Sequence, residues 1–164
     1  MIAIGIDNGV TGTIGIITPE RSCLRPVPTM ADALGGRRID HEALRELILS
    51  FCEGCLAVTH AAIEQPLSGL PSAAAIKSAN RAFEAARITL EILGVGYEVI
   101  SAAKWHKTEL PGVTGRENLK RQSLAKGLAM LSDIKSKDCA RKAKDCDGLL
   151  IADWLLSLRH FRGR

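Results

Sequence analysis

The first eighteen residues constrain the fold of this chain more than any other stretch, because two β-branched runs flank a short turn. The runs are Ile2–Ile6 and Thr13–Ile17, and Gly9 and Gly12 lie between them, a pattern typical of a β-hairpin. In the first run isoleucine alternates with small apolar residues, so that neither face is polar. This pattern predicts a central strand that is buried on both faces.

Asp7 ends the first of these runs, where a carboxylate is unusual. A carboxylate at the tip of a buried strand, followed by glycines that let a ligand approach the backbone, indicates a candidate site. The alternative is a turn-forming aspartate whose side chain hydrogen-bonds within its own loop. Both interpretations fit this stretch equally well.

The composition fits one domain over residues 1–164, because 46% of the 164 residues are hydrophobic and can fill one core. No run of about 18 uncharged apolar residues occurs, so we expect no membrane association. Five cysteines, an odd number, favour a reducing intracellular setting.

Residues 1–100 hold 8 Lys+Arg and 11 Asp+Glu, whereas residues 101–164 hold 14 and 7. This asymmetry favours a polyanionic partner, with a solvated basic surface as the simpler alternative.

The apolar periodicity predicts strands and helices that alternate, which indicates an α/β fold. After the hairpin we expect a strand over Cys23–Val27, a loop over 28–39 and a helix over 41–54 that is capped by Asp40. We then expect a strand over Leu56–Glu64, a helix over Ser72–Leu93 and a strand over Val95–Ile100. The rest of the chain is predicted to form a polar basic segment over 101–116, a helix over 117–131, a basic segment over Lys135–Lys144 and a buried last helix that begins near Asp147.

Acidic residues stand at corresponding places in this pattern. Asp7 and Glu64 each end a mostly apolar strand, and Asp147 lies in the first turn of the last helix. Carboxylates are costly to crowd together unless a cation neutralises them. Two divalent cations about 3.5–4 Å apart can activate a water and stabilise the leaving oxygen of a phosphodiester, and hard cations prefer carboxylate ligands. The alternative for Asp147 is an acid favoured by the helix dipole, with Asp145 as N-cap.

Four motifs in chain order resemble those of the RuvC-like Holliday junction resolvases, which belong to the ribonuclease H-like superfamily. They are Ile4–Gly12, Ala62–Gln65, Val99–Ser101 with Lys104–Lys107, and Asp147–Ala152. The resemblance covers most of the chain and is closest to phage and chloroplast members. It implies an α/β ribonuclease H-like fold, with a five-stranded mixed sheet flanked by helices.

The resemblance also implies an activity, a crossover junction endodeoxyribonuclease that serves DNA recombination and repair. A homodimer would bind four-way junction DNA, and each subunit would nick one strand with two Mg²⁺ or Mn²⁺ ions, leaving a 5′-phosphate and a 3′-hydroxyl. No nucleotide cofactor is expected. The location implied is the cytoplasm of a bacterial or phage-infected cell, and an organellar relative is the alternative.

By position, the resemblance assigns roles to residues of this sequence. Asp7, Glu64 and Asp147 would be metal ligands, and Lys104 and Lys107 would lie near the scissile phosphate. The helix over Ser72–Leu93 would form the dimer interface. Other residues are expected to contact DNA, either in a loop that enters the junction or as basic groups: Leu67, Leu70, Arg116, Lys120, Arg121, Arg141, Lys142 and Lys144.

One position departs from the family pattern. The family usually has a fourth metal ligand three or four residues before the last acid, and here Ala143 and Lys144 stand there. Asp145 is two residues before Asp147, so on a regular helix its side chain points elsewhere, but it could serve if the helix begins after it. Otherwise Lys144 replaces the charge of a metal, or the second metal binds weakly.

This departure keeps other functions open. One is a junction-binding relative with little cleavage, and another is a ribonuclease H-like nuclease that acts on other branched DNA or on RNA–DNA hybrid. A sugar-kinase or actin-like ATPase is a further alternative, since Gly5–Gly12 also resembles a phosphate-binding hairpin. Such ATPases need two domains of this kind.

Overall fold

A computed structural model describes residues 1–33, 35–52, 54–67 and 72–162, without the side chains of 159–162. The strands within these residues are β1 (Ile2–Ile6), β2 (Thr13–Ile17), β3 (Ser22–Pro26), β4 (Thr29–Ala31), β5 (Arg37–Ile39), β6 (Thr59–Glu64) and β7 (Gly96–Ile100). The helices are α1 (His41–Cys52), α2 (Ala73–Ile92), α3 (Ala102–Glu109), α4 (Arg116–Met130), α5 (Ile134–Ala143) and α6 (Asp147–Arg162). Among the described residues, no helix is both long enough and apolar enough to cross a membrane.

The main sheet has five strands in the order β3-β2-β1-β6-β7. β1 pairs antiparallel with β2 and parallel with β6, so the sheet is mixed, as predicted. In the parallel pair Ile6 lies opposite Ile63. The residues that follow them, Asp7 and Glu64, therefore leave neighbouring strands at the same edge of the sheet.

The two faces of β1 contribute to different parts of the core, and all five of its residues are buried. Ile2, Ile4 and Ile6 pack in a cluster with buried residues of α1 and α2, whereas Ala3 belongs to a cluster with Trp154 and its neighbours on α6. The prediction of a strand buried on both faces is confirmed. Layers of helices on both sides of a sheet are the usual way to cover such a strand.

Glycines allow α6 to lie directly on the backbone of the hairpin. A Cβ atom on Gly5 would overlap the carbonyl oxygen of Gly148, and one on Gly15 would overlap the backbone of Leu149. A Cβ atom on Gly148 would in turn overlap the carbonyl group of Thr13. This contact seats the first turn of α6 beside the end of β1.

Two predicted helix starts are confirmed by their capping bonds. The Asp40 carboxylate accepts a hydrogen bond of 3.0 Å from the backbone N–H of Ala43, and the Ser72 hydroxyl accepts one of 3.1 Å from that of Ala75. The other predicted ends differ from the observed ones by one or two residues in most cases, which is the usual uncertainty of element boundaries.

Other parts of the prediction are wrong. The expected loop over 28–39 contains the β4–β5 ladder, whose strands of three residues are too short to show a periodicity. Leu56–Val58 forms a 3₁₀ turn and not the start of a strand. The polar segment over 101–116 contains α3, anchored by buried Trp105, and the basic segment that begins at Lys135 forms most of α5. Both short helices bury too few apolar residues to reveal a helical stripe.

We expect Gly5→Ala to destabilise the protein, because backbone atoms on the opposite side of the contact cannot move away from the new methyl group. Overpacking of this kind costs about 1–3 kcal/mol, and each kcal/mol lowers the melting temperature by about 2–4 °C in a chain of this size. Thermal unfolding followed by circular dichroism measures the change. Gly96→Ala is the matched control in another strand, since its Cβ meets only the His60 side chain at 3.3 Å. Equal melting temperatures for the two variants would contradict the close contact.

Candidate active site

Three aspartates converge at the carboxyl end of β1. Asp7 follows β1, Asp147 is the first residue of α6, and Asp145 lies in the turn before it. One carboxylate oxygen from each lies within 4.8 Å of those from the other two. Such crowding of like charges is unfavourable without a cation, so the arrangement is a candidate metal site.

Backbone hydrogen bonds hold the turn that carries Asp7. The N–H of Asp7 donates to the carbonyl oxygen of Thr13 at 3.0 Å, and the N–H of Gly12 donates to that of Gly9 at 3.1 Å. The Thr13 hydroxyl accepts a bond of 3.1 Å from the N–H of Gly148, which ties the turn to α6. Within the described residues the Asp7 carboxylate makes no hydrogen bond to its loop, so the alternative of a turn-forming aspartate is not supported.

Asp145 is buried, with 5% of its surface exposed. Its Oδ2 atom accepts a hydrogen bond of 3.0 Å from Nζ of Lys120 on α4. Its Oδ1 atom is buried and has no hydrogen-bond partner among the described residues. Since a buried carboxylate oxygen without a partner is costly, this atom is a candidate to bind a cation.

The chain bends sharply before Asp145, and this bend decides whether Asp145 can point toward Asp147, two residues later. α5 ends at Ala143, and Lys144 takes the left-handed conformation, with φ at 63°. α6 then begins at Asp147. Asp145 is therefore in a turn and not on the helix, so the helical spacing that directs it away from Asp147 does not apply. Lys144 is exposed, and the lysine that pairs with Asp145 is Lys120.

Ser123 of α4 also contacts this cluster, although it was not among the site residues predicted from the sequence. Its buried hydroxyl donates a hydrogen bond of 2.5 Å to Oδ1 of Asp147 and accepts one of 3.0 Å from the N–H of Cys146. Gly127, one turn further along, lets α4 come close, because a Cβ there would overlap the Cys146 side chain. Lys120, Ser123 and Gly127 follow an i, i+3, i+7 spacing, which places them on one face of α4. This spacing is the feature of the sequence from which Ser123 could have been identified as a neighbour of the site.

Glu64 lies beside the three aspartates but is not part of their close cluster. Its Oε2 atom accepts a hydrogen bond of 2.6 Å from the indole N–H of Trp105 on α3. Burial, together with the charges of Asp147 and Asp145, raises the pKa of Glu64 to about 7, against the hydrogen bond from Trp105, which lowers it. Trp105 lies within one of the motifs quoted above, but the sequence assigned it no role.

The raised pKa values of the aspartates also indicate a metal site. Burial, together with the charges of Asp147, Glu64 and Asp145, raises the pKa of Asp7 well above its usual range. Burial and the charge of Asp145 raise the pKa of Asp147 to about 6, against the hydrogen bond from Ser123 and the charge of Lys120. A divalent cation would reverse these shifts by favouring the ionised forms. Charge, burial and the unpartnered oxygen of Asp145 thus fit a hard metal ion.

The lysine that contacts the cluster is Lys120 of α4. Lys104 and Lys107 are exposed on α3, and Nζ of Lys104 lies 5.1 Å from the centroid of the Trp154 ring. Lys120, expected among the DNA-contacting residues, instead forms the ion pair with Asp145. α4 therefore supplies a lysine next to the carboxylates, whereas α3 supplies Trp105, which contacts Glu64.

Most of the other predicted DNA-contacting residues lie on the surface of α4 and α5 or next to them. Exposed basic groups there are Arg116, Arg121, Arg141, Lys142 and Lys144. Lys142 and Lys135 line a cleft of about 470 Å³ that borders the β1–β2 turn at Thr11–Thr13. In the loop after β6, Leu67 is 60% exposed, and Leu70 lies outside the described residues.

We expect Asp7→Asn to raise the melting temperature in EDTA, because it removes one of the crowded charges. The raised pKa values of Asp7, Glu64 and Asp147 mean that, above the unfolded-state values, the folded state holds protons that the unfolded state has lost. Stability without metal therefore falls as the pH rises from about 4 through 7. The fall should be smaller in Asp7→Asn, as measured by thermal unfolding at pH 5 to 8.

Mg²⁺ or Mn²⁺ should stabilise the wild-type protein more at pH 8 than at pH 5.5, since protons compete for the same oxygens. Asp7→Asn should lose most of this stabilisation. Glu46→Gln, which removes an exposed carboxylate, is the charge-matched control and should respond to metal as the wild type does. A metal response that Asp7→Asn leaves unchanged would contradict the site.

Comparisons with known proteins bear on the fold. No protein-family model matches the chain, and no curated protein sequence matches it. Among solved structures, the chain is similar to T. thermophilus RuvC in complex with Holliday junction substrate, with a TM-score of 0.55 and 13% sequence identity over 96% of both chains. It is also similar to a second Thermus thermophilus RuvC structure, with a TM-score of 0.51 and 15% identity over 96% of both chains. The chain therefore has the ribonuclease H-like fold of RuvC, as its sequence motifs predicted.

Proposed function

We propose that this chain is a structure-selective DNA endonuclease that resolves four-way junctions by metal-dependent hydrolysis of phosphodiesters. The observation that carries the proposal is the convergence of Asp7, Asp145 and Asp147, in a fold shared with a RuvC that was solved with a Holliday junction substrate. Fold alone does not define a reaction, and here the acidic site supplies the chemical argument.

The proposed metal ligands are Asp7, Asp145 and Asp147, with Glu64 on the neighbouring strand as a fourth carboxylate. We propose Mg²⁺ or Mn²⁺, because all four ligands offer hard oxygen atoms, and two ions per site, because four carboxylates exceed the charge of one. When bound, the ions would stabilise charge on the phosphate and supply an activated water.

The protein's own residues hold this site in place. Ser123 fixes one oxygen of Asp147, and Trp105 fixes one oxygen of Glu64. Lys120 has a side chain that is 45% exposed, so its ammonium group is accessible to a phosphate that approaches the cluster. In the proposed reaction a water oxygen bonds to phosphorus, the bond from phosphorus to the 3′ oxygen breaks, and that oxygen takes up a proton. The products are a 5′-phosphate and a 3′-hydroxyl.

The cation-rich surfaces of α4 and α5 are the proposed DNA interface next to the acids. Lys142 and Lys135 line a cleft that borders Thr11–Thr13, which are four to six residues after Asp7 in sequence. Cations placed around an acidic site favour a polyanion that must reach it. Lys104 and Lys107, which are exposed on α3, are further proposed phosphate contacts.

We propose that two copies of the chain associate through α2. The small residues of this helix, such as Ala82 and Ala86, pack against the sheet of the same chain. Its outer face instead exposes Ile88 and Ile92, one turn apart, at 46% and 66%. Exposed isoleucines along one helix are typical of an interface. A dimer would carry two acidic sites, as the proposed paired nicks require.

The first test is cleavage of a labelled synthetic four-way junction with Mg²⁺, Mn²⁺ or EDTA. We expect paired, metal-dependent nicks from the wild type, with the rate reduced at least about 100-fold in Asp7→Asn and Asp145→Asn, because each loses a charged ligand. Glu46→Gln is the control and should cut at the wild-type rate. The sequence left two other outcomes open, and both would reject the proposal: tight junction binding without nicks, or preferred cleavage of other branched DNA or RNA–DNA hybrid.

The second test concerns the dimer. Ile88→Glu places a charge on the exposed face of α2, where it borders an apolar groove with Ile39 and Ala85. We expect sedimentation velocity to show a dimer for the wild type and a monomer for Ile88→Glu, and the variant to lose paired nicks. Val58→Glu, at another exposed apolar residue, should stay dimeric. A wild-type monomer at micromolar concentration would contradict this interface.

A further inference from the structure

A second basic cleft lies outside the site described above. It has a volume of about 360 Å³ and is formed by the β4–β5 hairpin, the first turns of α2 and Val10 of the β1–β2 turn. Arg37 and Arg38 line it from the hairpin, and Lys77 and Arg81 line it from α2. These residues lie in the part of the chain whose net charge is negative, so the sequence analysis did not select them.

Among the described residues, most of the basic side chains in this cleft have no acidic partner. Arg81 forms an ion pair with Asp32, whose side chain is only 8% exposed. Arg37 donates to the hydroxyl of Thr29 and forms no ion pair with any residue that the structure describes. Arg38 and Lys77 form no ion pair within the part of the chain that the structure describes. The cleft therefore concentrates three cations around a single internal ion pair.

The cleft is close to the acidic site. Val10 follows Asp7 by three residues, so their Cα atoms are at most about 11 Å apart. The side-chain amide of Asn8 donates a hydrogen bond of 3.3 Å to the carbonyl oxygen of Ala79, which joins the turn to the same part of α2. A nucleic-acid strand advances about 3.4 Å per nucleotide along a duplex axis, so the edge of the cleft at Val10 lies at most about three nucleotides from Asp7.

The tip of the hairpin is shaped for close approach. Gly35 and Gly36 both have positive φ angles, of 87° and 86°, and a Cβ atom on either would meet nothing within 4 Å. The turn therefore needs glycine for its conformation at these two positions, and Gly35 and Gly36 place no side chain between solvent and the cleft. An extended polyanion can reach the cations behind it without steric hindrance.

Resting on the function proposed above, we propose that this cleft binds the phosphate backbone of the cut strand, about three nucleotides from the scissile phosphate. Arg37, Arg38 and Lys77 are the contacts. A guanidinium group binds a phosphate through two parallel N–H bonds, and an ammonium group binds it as a point charge. Such contacts position a strand and do not read its sequence, so the cleft would set the register in which the junction strand reaches the aspartates.

The test measures junction binding in EDTA as a function of salt concentration. Each phosphate contact contributes about 0.9 to the slope of log affinity against log salt, so Arg38→Gln/Lys77→Gln should lower the slope by about 2 and weaken binding. Arg21→Gln removes an arginine from the β2–β3 turn, at the opposite end of the sheet from Asp7, and should leave the slope unchanged. Arg38→Lys/Lys77→Arg, which keeps both charges, should retain the wild-type slope and thereby exclude misfolding.

A second measurement locates the contact on the DNA. Neutral methylphosphonates are placed singly along the cut strand, and the wild type should lose affinity when the substitution lies about three nucleotides from the cut. Arg38→Gln/Lys77→Gln should show no further loss at that position, because the contact is already absent. An unchanged slope in this variant, or equal losses in both proteins, would overturn the cleft while junction cleavage stands. Failure of the wild type to bind any four-way junction would overturn both proposals.

Discussion

The seating of α6 on the bare backbone of β1 and β2 is the contact on which the candidate site depends. Gly5, Gly15 and Gly148 have no side chains to keep the helix at the usual distance from a sheet. As a result the first residue of α6 lies level with the residue that ends β1. The hydrogen bond from the N–H of Gly148 to the hydroxyl of Thr13 also fixes the position of α6, since it ties the start of the helix to the hairpin turn.

The crowding of carboxylates next to this contact is electrostatically unfavourable. Four carboxylates lie near one another, and the pKa values of Asp7, Glu64 and Asp147 are raised because burial and neighbouring charge both disfavour ionisation. Neighbouring elements hold the acids apart from one another by hydrogen bonds: Trp105 of α3 binds Glu64, and Ser123 of α4 binds Asp147. The apolar clusters on both faces of the sheet supply the stability that offsets this crowding.

The sequence revealed the central strands and the acids at their tips because both are local features. Ile2–Ile6 shows its burial in its own residues, and Asp7 and Glu64 are visible where apolar runs stop. The structure brings Asp7, Asp145 and Asp147 together, while their roles as ligands and those of Lys104 and Lys107 stay predictions. Contacts made across the fold were invisible: Ser123 is 24 residues from Asp147, and Trp105 is 41 residues from Glu64. The placement of Asp145 depended on a left-handed Lys144, which no propensity favours.

The order of the acids along the chain has a consequence for folding. Asp7 comes from the first strand, Glu64 from the middle of the chain, and Asp145 and Asp147 from the approach to the last helix, so the site closes loops of up to 140 residues. Contacts of such sequence separation form late, because the entropy of loop closure must be overcome first. A chain that has formed only its hairpin and first helices has no acidic centre at all. Metal affinity would thus appear only with the complete fold.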